Sequence, residues 1–185
     1  MTRFSLILAL TLLISSCTFY TLNPRGKTNI GGLYTVRSEI AWNKATIGKT
    51  EIWTIDGPSL QELRFVNGLS DGDKLFENPA KENSPEYKSE MSFLEIKEFI
   101  ETSAATSGIV EITSRNFRPY KFGSLDGFRA EFSYTHEDGL LREGLATGTK
   151  KDGKLYLIFY SGTRLHYFQT HLDEVEYILR SIKIL

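Results

Sequence analysis

Between Leu155 and Tyr160 every residue is apolar or aromatic, with Leu155, Leu157 and Phe159 alternating against Tyr156, Ile158 and Tyr160. In an extended chain, alternate side chains point to opposite faces. A strand of this kind is therefore covered on both sides, inside a sheet that carries a packed layer on each face. Helices are the natural cover, and the chain offers two amphipathic stretches for the purpose. Ser92 and Glu95 have capping-box spacing, and Met91 and Ile96 are placed for the accompanying hydrophobic staple. Phe93, Ile96, Ile100 and Ala104 continue a helical stripe up to Gly108, which predicts a helix over 93–106. Thr170 to Asp173 has the spacing of a second helix start, and Leu172, Val175, Leu179 and Ile182 form its apolar stripe.

Between the helices the period changes to two. Val110, Ile112 and Ser114 alternate with Glu111, Thr113 and Arg115, and Phe128, Ala130, Phe132 and Tyr134 alternate with Arg129, Glu131 and Ser133. Turn signals at 136–139 and 151–154 separate strands expected near 127–135, 140–148 and 155–161, joined as an antiparallel meander. Before the first helix, residues 33–40 and 51–55 read as strands, and 60–66 fits either a strand or a helical turn. Residues 67–87 hold Asn67-Gly68, Asp71-Gly72-Asp73, Asn78-Pro79 and Ser84-Pro85, the composition of an exposed excursion. The polar stretch 18–32, with Asn23-Pro24-Arg25-Gly26 and Gly31-Gly32, reads as a tether. The expected fold is α+β, a mostly antiparallel sheet flanked by helices in an α/β/α sandwich, with residues 33–185 as its single domain.

The first residues give an address. Arg3 and the amino terminus precede an apolar run from Leu6 to Ile14, too short for the ~20 residues that a membrane-spanning helix needs. Leu13-Ile14-Ser15-Ser16-Cys17 resembles the lipobox that closes the signal of bacterial lipoprotein precursors. The resemblance implies a signal peptide over 1–16, cleavage before Cys17, a diacylglyceryl group on its sulfur and acylation of the new amino group. Two or three acyl chains hold a protein stably at a bilayer where one holds it only marginally. Thr18 is not the aspartate that retains such proteins in the inner membrane. In a host with two membranes the implied place is thus the outer membrane, with the domain facing the periplasm. Cys17 is the only cysteine, so no internal disulfide can form. With 22 basic and 23 acidic residues the chain lacks the cationic excess of a nucleic-acid binder.

From about Ser92 onward the order of elements is similar to the PsbP-like fold family, named for an extrinsic subunit of photosystem II. The resemblance rests on Asp126-Gly127 at the start of a strand, Lys154-Leu155-Tyr156-Leu157-Ile158, and Leu179-Arg180-Ser181-Ile182-Lys183-Ile184. It implies a non-catalytic binding or assembly role, with no shared catalytic set to carry over.

The residues themselves form no recognisable catalytic constellation. His136 and Asp138 stand at a turn tip, where polar residues are ordinary. His166 and His171 lack a third ligand at metal spacing. Gly123 to Gly127 has the wrong order for a nucleophile elbow, Asp71-Gly72-Asp73 too few oxygen ligands for calcium, and Gly148 to Lys151 no upstream glycine for a phosphate loop. Neither a metal nor another cofactor is called for. The richest exposed stretch is 115–122, where three basic residues interleave with three aromatics. It nominates Arg115, Arg118, Tyr120 and Lys121 as contacts for an envelope protein or an anionic envelope polymer. The expectation is a lipid-anchored, non-enzymatic binding or accessory module; the alternative is a small-molecule or glycan binder, or a hydrolase, with a pocket covered by the 67–87 loop.

Overall fold

The computed structural model describes residues 20–76, 84–136 and 138–185. Its centre is an eight-stranded sheet, antiparallel throughout, in the spatial order β1-β4-β5-β6-β10-β9-β8-β7. The strands are β1 (Thr21–Asn23), β4 (Trp42–Ile47), β5 (Thr50–Thr54), β6 (Gln61–Leu69), β7 (Val110–Phe122), β8 (Leu125–Thr135), β9 (Leu141–Lys151) and β10 (Lys154–Thr163). A second, three-stranded sheet joins β2 (Gly26–Ile30), β3 (Tyr34–Ser38) and β11 (Lys183–Ile184). Two helices, α1 (Phe93–Thr106) and α2 (Tyr167–Arg180), complete the described fold.

The doubly apolar strand sits where its pattern requires. β10 lies between β6 and β9 in the middle of the large sheet. Leu155 and Leu157 enter one core with Phe128, Ala130, Phe132 and the α1 residues Ile96, Phe99 and Ile100. Ile158 and Tyr160 enter the other, with Val175, Ile178 and Leu179 of α2 and Tyr34 and Val36 of β3. The sandwich is thus α1 on one face and α2 plus the small sheet on the other. That small sheet is the layer the sequence pattern left out.

α1 begins and ends as expected. Ser92 Oγ accepts from Glu95 N–H and the Glu95 carboxylate accepts from Ser92 N–H, which satisfies two of the helix's open donors. Ser107 forms the C-cap and Gly108 follows with φ +92°, a conformation glycine adopts without a Cβ penalty. α2 starts earlier than its sequence signal, at Tyr167. The hydroxyl of Tyr160 donates to the carbonyls of Tyr167 and Phe168, and the Phe168 ring stacks on Tyr160 at 5.1 Å. A tertiary contact, not the Thr170 side chain, therefore sets this start.

Three further expectations need correction. The stretch read as a tether over 17–32 contains β1 and β2; because β1 pairs with β4, and β2 with β3, the folded part begins by Thr21 and not at Leu33. Residues 41–50, given no strand between those read at 33–40 and 51–55, contain β4, whose first residue, Trp42, is wholly buried. Residues 67–69 finish β6, and within the expected excursion Leu75 and Tyr87 are buried in the α1-side core, with Lys74 bridged to Glu86. Residues 77–83 of that stretch lie outside the described residues.

Candidate functional site

The nominated contact stretch lies on β7, an edge strand interrupted by two bulges near Glu111 and Asn116, each of which has a φ of 54°. Bulges and Pro119 keep this edge from templating another strand. The bulge after Arg115 brings Arg115, Arg118 and Tyr120 to one face and turns Phe117, Pro119 and Lys121 to the other. Each charged group is engaged by a neighbour. Arg115 donates to Glu143 at 2.6 Å and to Glu131 at 3.4 Å, and these carboxylates, Glu143 first, raise its affinity for its proton. Arg118 donates to the Asn116 carbonyl and stands 4.0 Å from Glu131. Lys121 pairs with Asp126 at 2.5 Å. The guanidinium of Arg129 lies 5.7 Å from the centre of the Tyr120 ring and makes a two-point bond to Glu176 of α2. The strand is therefore electrostatically balanced within the molecule, and its charges serve β7–β8–β9 cohesion as well as any contact. Cys17 lies outside the described residues.

The histidines do not converge. His171 Nε2 meets Asp56 Oδ2 at 2.8 Å, beside the Trp42 ring, whereas His166 is exposed ahead of α2. Among the described residues no group of three or more His, Cys, Asp or Glu is placed to hold a metal ion. Asp71 and Asp73 are structural. Asp71 accepts from Ser89 N–H and Oγ–H, and Asp73 accepts from Ser70 N–H and from Lys49.

A cleft of about 500 Å³ opens between the C-terminal half of α1 and the large sheet. The register explains its floor. Gly144 of β9 lies opposite Phe132 of β8 and Ser161 of β10, while Phe159 of β10 lies opposite Ala146 and Arg64. All of them point to the α1 side. Gly144 is the informative residue: its φ is not in the left-handed region, and an added Cβ would meet nothing nearer than 3.5 Å, so neither conformation nor packing demands glycine. Its neighbour in sequence pattern, Gly148, differs, since a Cβ there would meet Leu157 Cδ2 at 2.4 Å and the Tyr156 carbonyl at 2.8 Å. Gly144 leaves a hollow in the sheet, a common sign of close approach by something else.

Ile100, Ala104 and Ile109 form the helix-side wall, with Phe76 of the 67–87 stretch also on the lining. The rim is polar. Arg142, itself buried, grips Asp138 through both of its terminal nitrogens at 3.0 and 2.6 Å and donates to the Ser59 carbonyl. Arg64 pairs with Glu62 at 2.7 Å. The Arg142 hydrogen bond, followed by the Leu140 N–H, holds the Asp138 carboxyl well below the usual carboxylate range. Burial pushes the Tyr134 hydroxyl's ionisation up. Of the 67–87 loop that was expected to cover a pocket, Phe76 is the residue that lines this cleft among the described residues. Of the cleft residues, His136 and Asp138 stand out in the sequence but read there as turn residues; Arg64, Arg142, Phe159 and Gly144 are not singled out, because only strand register brings them together.

No family model matches the chain, and no curated protein matches it in sequence. Solved structures do. The solution structure of cyanobacterial PsbP (CyanoP) from Synechocystis sp. PCC 6803 superimposes with a TM-score of 0.56 at 13% identity, over 93% of this chain and 96% of that one. A crystal structure from Bacteroides thetaiotaomicron VPI-5482 gives 0.50 at 13% identity, over 87% of this chain but only 49% of its own. LpqN, described as involved in cell envelope biogenesis of Mycobacterium tuberculosis, gives 0.41 at 10% identity, over 92% and 87%, and is too distant in structure to argue from. The fold is α+β and PsbP-like, as the element order implied.

Proposed function

We propose that this chain is a lipid-anchored envelope protein, held at its membrane through acylated Cys17, that works as a non-catalytic binding or assembly module and takes its ligand in the cleft beside α1. The cleft carries the reading. An aromatic floor of Phe132, Tyr134 and Phe159 offers a flat apolar surface, and the glycine hollow at Gly144 lets a ligand approach the backbone. The rim presents carboxylates already fixed by arginines, Asp138 by Arg142 and Glu62 by Arg64, which is a preorganised set of acceptors at little net charge. Such a lining suits an uncharged envelope polymer with an apolar face and hydroxyls, a glycan above all.

The pairing of Asp138 with Arg142 supports the non-catalytic reading over the hydrolase alternative. A general base works best with an ionisation near the operating pH. Asp138, the carboxylate on the rim nearest in sequence to His136, is displaced the opposite way by Arg142. Arg115, Arg118, Tyr120 and Lys121 remain a proposed second contact, for a protein partner, since Tyr120 and Arg129 make a stacked pair of the kind that anchors interfaces.

The test is crosslinking in native membranes with a tagged full chain, beside the Gly144→Leu variant, whose side chain fills the hollow. Recovery of one glycan or protein component by the parent chain and its loss in Gly144→Leu is the expected result. Equal recovery by both removes the cleft from the proposal, and absence of any recovered component removes the binding role.

A further inference from the structure

We infer that the β1–β4 edge of the large sheet is a membrane-facing surface, with Tyr20, Leu22 and Ile47 lying against the bilayer. The inference rests on anchoring at Cys17. Its first ground is length. With β1 beginning at Thr21, only three residues separate the sheet from Cys17. Four fully extended Cα steps reach at most about 14 Å. A tether of fifteen residues would let the domain turn freely above the surface; one of three residues fixes which edge is near it.

The second ground is direction. Thr21 lies opposite Lys44 and Asn23 opposite Trp42, so the chain leaves β1 toward the Ile47 end of β4. The third is the character of that edge. Leu22 is 67% exposed, Ile47 53% and Tyr20 36%, so three large apolar side chains at this edge meet solvent. Leu22 lies opposite Asn43, and Asn43, Ala45 and Ile47 alternate onto one face, so Leu22 and Ile47 point the same way. Tyr20 stands two residues before Leu22, the spacing that puts side chains of an extended chain on one face. α1 packs on β7 and β8, at the far end of the same face.

The opposite edge provides an internal control. Across eight strands about 4.8 Å apart, β7 lies about 34 Å from β1 along the sheet. Its turn with β8, Gly123–Ser124, belongs to that opposite edge.

The experiment uses the full, processed chain reconstituted in vesicles of phosphatidylethanolamine and phosphatidylglycerol. Cys17 is the only native cysteine and its sulfur is capped by the lipid, so a single introduced cysteine can be labelled alone. A polarity-sensitive dye is placed at Ile47→Cys in one sample and at Ser124→Cys in another, both exposed sites. The expected result is a blue shift and several-fold stronger quenching by spin-labelled lipid at position 47 than at 124. Equal, weak quenching at both sites in a chain that floats with the vesicles overturns the inference and leaves the anchor standing. A chain that fails to float and carries an unmodified Cys17 by intact mass overturns both.

Discussion

Gly144 and Gly148 lie four residues apart on β9 and have opposite meanings. At Gly148 a methyl group collides with Leu157 and with backbone, neither of which can retreat cheaply, so Gly148→Ala is expected to cost about 1–3 kcal/mol. At Gly144 a methyl group would meet Tyr134 and the Tyr160 carbonyl at an ordinary 3.5 Å, and Gly144→Ala is expected to stay within about 0.5 kcal/mol of the parent. Urea denaturation of the two variants checks the contrast, and similar losses at both positions would refute the hollow. Asp138 gives a pH signature. Its carboxyl is held below its ordinary value in the fold by Arg142, so its stabilising contribution is complete above the unfolded value near 3.9 and is lost as pH falls through the depressed folded value. Asp138→Asn therefore loses stability relative to the parent at neutral pH, and the gap closes as pH drops below about 4. Melts across that range measure it, and a gap that persists in acid would contradict the assignment.

At the scale of elements, what was legible in the sequence was what is local. The Ser92–Glu95 box, the stripe through Ile96 and Ile100 and the glycine at 108 are contained in one stretch, and α1 was readable to the residue. Ser92→Ala is expected to cost about 1 kcal/mol, seen as an earlier unfolding transition and faster amide exchange in the first turn of α1. The meander was readable for the same reason, because alternation and turn residues lie side by side. β1 and β2 were not. Thr21-Leu22-Asn23 and Gly26 to Ile30 carry too few apolar residues to alternate visibly, and only pairing with β4 and β3 makes them strands. β4 was missed because its buried residues, Trp42 and Ala45, stand among polar ones. The candidate site was the least legible part. Its floor is a register effect across three strands, and its rim joins residues 62, 64, 138 and 142. The basic and aromatic run on β7 was visible, but its pairing with Glu131, Glu143 and Asp126 was not.

Considered whole, the molecule is closed by contacts between its two ends. β11 pairs with β3, and Leu185 N–H donates to the Leu33 carbonyl at 2.8 Å. Deleting residues 183–185 removes this pairing and is expected to cost about 2 kcal/mol, a fall in Tm of about 4–8 °C by calorimetry. An unchanged Tm would show the small sheet to be held by β2 and β3 alone.

The placement of β10 between β6 and β9 has a temporal side. A ribosome delivers β6 some ninety residues before its partner, and α2, which seals one core, comes later still. Until then β6 offers a bare edge and the apolar side chains around Trp53 and Phe65 have no roof. Such long-range closure makes folding slow and late. A nascent chain of this design reaches its full strand pairing only near the end of its synthesis.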